Sequence, residues 1–255
     1  MKNLYKYLLI STLFLNPTVN AYADTQNSSS WLDSYNRTVF EFNTKVDKYT
    51  LKPIAEGYRA ITTPDIRNRV NSALYNVLEP VSAGNHALQG SFKKTMISIA
   101  RFAINSTLGL AGMFDVAQGW GLEKDHTNFD ETFATYCIPD GPMIMIPFYG
   151  PSTPRSMTGM IAAVYADPLY WAMINDKNYA DKIGWSYAAV GVIAVRERSL
   201  DLLNDLEQNS VDYYAAVSSA YEQNRQKLKK LCIFRKEDNT QSYDFDFDID
   251  EENEF

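Results

Sequence analysis

The amino-acid sequence predicts an all-α protein. Apolar residues recur at steps of three and four over most of the chain, proline and capping residues mark helix starts, and sustained period-two alternation is confined to residues 244–250. With 255 residues, 45% apolar and 22% charged, the chain is long enough for one large domain, and collagen-like, coiled-coil and fully disordered classes are excluded.

The elements follow in order. Lys2 and Lys6 precede the apolar run Leu8 to Leu15 and then Ala21-Tyr22-Ala23, the layout of a signal peptide over residues 1–23 with Ala21 and Ala23 flanking a cut before Asp24. A run this short cannot cross a bilayer as a helix, which takes about 20 apolar residues. Residues 24–30 read as a polar leader. Leu32, Tyr35, Val39, Phe42, Val46 and Tyr49 then share one stripe of a helix that Pro53 is expected to stop. Thr63-Pro64-Asp65 starts the next helix, which Glu79-Pro80 is expected to end. A third helix, nearly apolar all round, runs from about Ser91 past Ile104 and breaks near Gly109 and Gly112.

Between residues 118 and 156 nine Gly and Pro residues forbid any long element, giving a long apolar, ordered loop. Met157 to Ile174 reads as two short apolar helices meeting at Asp167-Pro168. Helical signals return from Ala180, with Val192, Val195, Leu202 and Leu206 on one face, and Asn209-Ser210 starts a last helix. A single helical domain over residues 31–236 is therefore expected, followed by an acidic, disordered tail over 237–255. That tail holds nine acidic residues, leaving residues 24–236 with 22 of each sign, so broad binding to nucleic acid is not expected.

Catalytic and metal signatures are absent: no Gly-x-Ser-x-Gly, His-Glu-x-x-His or Gly-rich phosphate loop occurs, and His86 and His126 stand alone. No cofactor is expected. Asp244, Asp246 and Asp248 imitate a calcium loop but lack its Gly and closing Glu. Cys137 and Cys232 allow one disulfide, although the 95 positions between them and the lack of a framework favour two separate thiols. Arg225, Lys227, Lys229, Lys230, Arg235 and Lys236 form a basic cluster suited either to a helix C-terminus or to anionic headgroups. Segments 102–114, 141–154, 156–166 and 183–195 contain no Asp, Glu, Lys or Arg, and suit either a buried core or a bilayer interface.

Several longer motifs occur in a set order: Tyr35-Asn36-Arg37-Thr38-Val39-Phe40-Glu41-Phe42-Asn43, Leu51-Lys52-Pro53-Ile54-Ala55, Leu78-Glu79-Pro80, Leu88-Gln89-Gly90, Arg101 to Gly109, Gly112 to Ala117, Pro147-Phe148-Tyr149-Gly150-Pro151 and Asp167-Pro168. Together they resemble the MlaA (VacJ) family of phospholipid-binding outer-membrane proteins. The resemblance implies a membrane-embedded ring of helices around an amphipathic channel. It further implies removal of mislocalised phospholipid from the outer leaflet without covalent chemistry. The implied partners are an MlaC-like periplasmic lipid carrier, a trimeric porin and, indirectly, an inner-membrane ABC transporter.

Phe42, Asn43, Met113, Phe114, Phe148 and Tyr149 are the expected lipid contacts. Two stretches depart from the family pattern. No cysteine directly follows Ala23, so residence at the periplasmic face of the outer membrane would rest on the apolar helices, with an unanchored periplasmic interaction protein as the alternative. Asp130 to Cys137 stands where the family places a Gly-Gln-Thr-Leu-Gly run.

Overall fold

A computed structural model describes residues 25–167, 170–171 and 184–241. The signal peptide with Ala21, Ala23 and Asp24, most of the second apolar helix after Pro168, and tail residues 242–255 lie outside the described residues. The elements are α1 (Thr25–Tyr49), α2 (Leu51–Ile61), α3 (Pro64–Leu88), α4 (Phe92–Thr107), α5 (Val116–Gly119), α6 (Phe129–Thr135), β1 (Ile144–Ile146), β2 (Gly150–Ser152), α7 (Pro154–Ala166), α8 (Trp185–Arg198), α9 (Leu200–Asn209) and α10 (Tyr213–Gln241). Among the described residues the fold is all-α apart from one short antiparallel hairpin, which pairs Ile144 with Ser152 and Ile146 with Gly150.

Local signals explain several boundaries. The Thr63 hydroxyl accepts the Ile66 N–H at the start of α3, with Pro64 in the first turn, where its missing N–H costs nothing. Thr153 and Pro154 repeat the device at α7, where the Ser156 N–H bonds the threonine hydroxyl. Helix α4 ends before a turn in which Leu110, Ala111 and Gly112 all take positive φ, and a Cβ on Gly112 would fall 2.3 Å from that of Asn76.

Other expectations are corrected. Pro53 does not stop the first helix, which ends at Tyr49; it occupies the first turn of α2, where proline is tolerated. Pro80 lies inside α3, which continues to Leu88 because Ser82, Ala83, Asn85 and His86 are buried beyond it. Helix α1 begins at Thr25, so residues 25–30 extend the helix instead of forming a leader. The last helix starts at Tyr213, after Asp212 accepts the Ala215 N–H, and reaches Gln241, so residues 237–241 prolong it into the expected tail. Cys137 and Cys232 are joined in a disulfide that ties the end of α6 to α10.

The contacts between elements close on themselves: α2 packs on α8, α8 on α3, α3 on α6, α6 on α10, α10 on α9, and α9 back on α2. What fills the interfaces is unusual for a helical domain. Among the described residues, the buried apolar ones are five alanines with Met145, Leu200 and Tyr214, whereas eighteen polar or charged residues are buried, among them Glu79, Asn85, His86, Arg101, Arg155, Arg196 and Arg225. Large apolar side chains face outward, as in Ile61 at 84% exposure and Phe92 at 76%. Helix α4 shows the inversion within one element: Ser98, Arg101 and Asn105 are buried while Met96, Ile99 and Phe102 are exposed. No helix among the described residues is long and apolar enough to cross a membrane.

Buried charges persist only when paired and hydrogen-bonded, and here each cluster joins distant segments. Arg101 on α4 donates to Glu79 on α3 at 2.8 Å, to the Leu122 carbonyl at 2.6 Å and to Asp115 at 2.8 Å. Glu197 on α8 accepts from Arg59 at 2.8 Å and lies 3.1 Å from Arg67. Arg225 is not part of a surface cluster: it lies buried in α10, donating to both Asp130 and Asp140, while Arg155 donates to Asp130 at 2.8 Å and Thr153 to Asp140 at 2.7 Å. Burial works against the Arg225 charge, but the bonds to Asp140 and Asp130 hold its pKa above the ordinary value. His126 stacks on Tyr75 with centroids 5.1 Å apart, neither ring nitrogen has a hydrogen-bond partner, and burial, reinforced by Lys124 and Arg101, lowers its pKa to about 4.

Arg225→Gln leaves Asp130 and Asp140 sharing only Arg155, and should cost about 3–5 kcal/mol in chemical unfolding of the detergent-solubilised protein. His126 gives a pH test. Its folded pKa lies below the ordinary value of 6.5, so the unfolded chain takes up the proton first and stability falls as pH drops from 6.5 towards 4. Glu131, held above its ordinary pKa by burial, opposes this in part. His126→Phe keeps the stacking and loses no hydrogen bond, so its melting temperature should fall less between pH 7 and 4.5 than that of the wild-type protein; equal falls would place the acid sensitivity elsewhere.

Candidate functional site

Inside the closed circuit of helices lies a cavity of about 1020 Å³, at the upper end of the ~300–1,000 Å³ usual for small-molecule sites. Its walls come from α1, α2, α3, the hairpin, α8, α9 and α10. The apolar part is built from stripes at helical spacing: Leu74 and Leu78 on α3 face the same space as Val192 and Val195 on α8, with Leu203 on α9. Of the uncharged run 183–195, Tyr187, Ala188, Gly191, Val192 and Val195 thus supply cavity wall, while Ala194 is buried.

Charged residues border this space in pairs. Arg196 donates to both carboxylate oxygens of Asp47, at 2.6 and 2.7 Å, and the bond to Asp47 keeps the guanidinium firmly charged. Lys52 lies 3.3 Å from Glu207. These pairs stitch α1 to α8 and α2 to α9. Lys48 and Arg198, also lining the cavity, are exposed and have no acidic partner within 4 Å among the described residues. Burial raises the pKa of the Tyr187 and Tyr213 hydroxyls, which remain neutral in the wall.

The hairpin closes one side, and its placement depends on two asparagines seven residues apart on α1. Asn36 accepts the Met145 N–H at 2.7 Å and donates to the Met143 carbonyl at 3.0 Å. Asn43 accepts the Phe148 N–H at 2.7 Å and donates to the Ile146 carbonyl at 2.9 Å. Each amide thus offers the free edge of β1 the donor and acceptor a third strand would supply. Phe148 sits at φ 64°, a conformation costly for a residue with a Cβ, and its bonded N–H helps hold it there.

Of the residues expected to contact lipid, Asn43, Phe148 and Tyr149 line the cavity. Phe42 stands just outside, packed edge to face on Phe148 with centroids 5.2 Å apart. Met113 and Phe114 are brought elsewhere, to the turn after α4, where both are exposed and the Arg69 guanidinium covers the Phe114 ring at 4.1 Å. Sequence reasoning missed Tyr75, Leu74, Arg196 and Arg198. The signal available for the last two was the abrupt Arg196-Glu197-Arg198 ending of an uncharged run. No group of three or more His, Cys, Asp or Glu among the described residues could hold a metal.

Comparison with known proteins gives one answer. The family model described as "MlaA lipoprotein" matches residues 30–228. An uncharacterized protein of Rickettsia typhi is 37% identical over 195 residues, 76% of this chain and 75% of that one. The intermembrane phospholipid transport system lipoprotein MlaA of Haemophilus influenzae is 34% identical over 76% of this chain and 77% of its own length, and that of Escherichia coli 30% identical over 87% and 86%. A solved chain, reported as the structural basis for maintenance of bacterial outer membrane lipid asymmetry, superposes with a TM-score of 0.66 at 32% identity, over 78% of this chain and 98% of that one. With sequence and three-dimensional likeness both spanning the helical circuit and its cavity, the chain belongs to the MlaA lipoprotein family.

Proposed function

We propose that the protein is a non-enzymatic component of intermembrane phospholipid transport that sits in the outer membrane, receives mislocalised phospholipid into the cavity and releases it to a periplasmic lipid carrier beside a porin partner. The observation that carries this reading is the inverted burial: polar clusters inside, large apolar side chains outside, and an apolar cavity enclosed by the same helices. Exposed apolar surface on this scale is costly in water and favourable against acyl chains, and short helices lying in the interface need no spanning segment.

A phospholipid has two incompatible parts, and moving it demands a path that solvates both. The cavity supports that role, since its walls are apolar while Asp47–Arg196, Lys52–Glu207, Lys48 and Arg198 border them. Phe148 and Tyr149 would touch the lipid directly. Asn43 serves by holding Phe148, and Phe42 by packing on it. Met113 and Phe114, exposed on a rigid turn away from the cavity, suit contact with surrounding acyl chains. The names of the Haemophilus influenzae and Escherichia coli relatives support the transport assignment.

Gly191 offers a clean test because it lines the cavity and a Cβ there meets nothing within 4 Å. Gly191→Trp should fill the space without disturbing the fold, since replacing helical glycine also removes a backbone-entropy cost of about 0.5–1 kcal/mol. Phospholipid co-purifying with the protein from outer-membrane fractions, measured by mass spectrometry, should fall severalfold while the melting temperature is unchanged or higher. Undiminished lipid in a folded variant would rule out the cavity as the binding site.

A further inference from the structure

The apolar stripes of α3 and α8 end at the same point. On α8, Val192 and Val195 are followed one turn later by Arg198; on α3, Leu74 and Leu78 flank Tyr75. Arg198 donates through Nη1 to the Tyr75 hydroxyl, and its guanidinium carbon lies 5.1 Å from the ring centroid. A second cation reaches the same ring from the segment between α5 and α6: the Lys124 Nζ sits 3.3 Å from the centroid. His126 stacks on that ring and, with its pKa near 4, adds no charge at neutral pH.

Two cations gathered on one tyrosine repel each other unless an anion joins them. Five carboxylates of the surrounding elements are already engaged: Glu79 and Asp115 by Arg101, Asp125 by Lys94, Glu197 by Arg59 and Arg67, and Asp201 by Arg59. Neither Arg198 nor Lys124 has an ion-pair partner within 4 Å among the described residues, and both side chains are exposed. Tyr75 and Arg198 both line the cavity, and the tyrosine bond fixes the guanidinium where the wall changes from apolar to polar, leaving most of its donors free for a ligand, while Lys124, outside the lining, adds positive charge on the same ring.

Taking the cavity as the lipid site, we propose that Arg198, oriented by Tyr75 and backed by the Lys124 charge on the same ring, forms the seat for the phosphate of a bound phospholipid, with the acyl chains lying along Leu74, Leu78, Val192 and Val195. The group recognised is the phosphodiester and not the substituent beyond it, because the seat supplies donors and positive charge and the nearby carboxylates that an ammonium substituent would need are already paired. A planar guanidinium offers paired donors in the geometry that phosphate oxygens accept.

The test uses full-length protein in neutral detergent, titrated with tail-labelled phosphatidylglycerol, phosphatidylethanolamine and, as a phosphate-free control, diacylglycerol bearing the same tails. Arg198→Gln combined with Lys124→Gln should weaken both phospholipids about tenfold, which is about 1.4 kcal/mol, and leave diacylglycerol within about twofold. Arg198→Lys, which keeps the charge, should recover part of the loss, and millimolar inorganic phosphate should fail to displace the labelled lipids. Unchanged phospholipid affinity in the double variant would overturn the seat while leaving the cavity as the lipid site. Equal loss of diacylglycerol would overturn it as a distortion of the cavity, and displacement by inorganic phosphate would make it a free-anion site. Failure of the wild-type protein to bind any of the three lipids would overturn both the seat and the transport reading beneath it.

Discussion

Charge pairing inside the helical circuit is the constraint on which the structure depends. In an ordinary helical domain, apolar side chains inside hold the helices together and polar ones face water. Here the buried apolar residues are mainly alanines, which allow close approach but supply little area. The directional work falls to arginines: Arg101 joins α3, α4 and the segment around Asp115, Arg225 joins α10 to Asp130 and Asp140, and Glu197 joins α8 to Arg59 and Arg67. Each forked guanidinium engages several acceptors at fixed angles, so the clusters select one arrangement of helices as well as binding them. A protein held together this way can spend its large apolar side chains on the outside.

That inversion determines how the sequence reads. Periodicity finds an apolar face, yet nothing local says whether the face points inward. Leu32, Tyr35, Val39, Phe42, Val46 and Tyr49 do fall on one helix, but between residues 31 and 49 the buried residue is Asn36. The Thr63 cap and the break near Gly109 and Gly112 were legible because capping and positive φ are local physics. Pro53 and Pro80 misled because proline's local cost is settled by position in one case and by tertiary burial in the other. Arg225 looked like one member of a basic run, and only Asp130 and Asp140, 95 and 85 residues away, reveal its role. The disulfide was hidden for the same reason: Cys137 and Cys232 become neighbours only when α6 packs on α10.

The candidate site was partly visible. The Phe148-Tyr149 motif and Asn43 reach the cavity, and their order in the sequence carried the family likeness. Asn43 lines the cavity, yet both its hydrogen-bonding groups are committed to the hairpin backbone, so what it contributes in the structure is the position of Phe148. Asn36 makes the matching bonds two turns earlier, and the pair holds a three-residue strand that could not stand alone. A seven-residue spacing of asparagines is a weak signal in sequence because its meaning depends on a strand edge more than 100 residues away.

On the proposed function, the same physics links the scaffold to a lipid ligand. A transfer protein must bind its lipid well enough to extract it and loosely enough to release it. A cavity lined by apolar stripes that end in a few unpaired cations gives acyl chains a surface little different from the bilayer they leave, so the tails add little net selectivity. Discrimination then falls to the headgroup end, where charge acts across a half-exposed boundary and is moderated by solvent. Arg196 and Lys52 are neutralised by Asp47 and Glu207 within the wall, and this pairing prevents the cavity from becoming a uniformly positive trap. On that reading the Asp47–Arg196 and Lys52–Glu207 pairs shape the passage, while Arg198 beside Tyr75 keeps its charge available to a lipid within it.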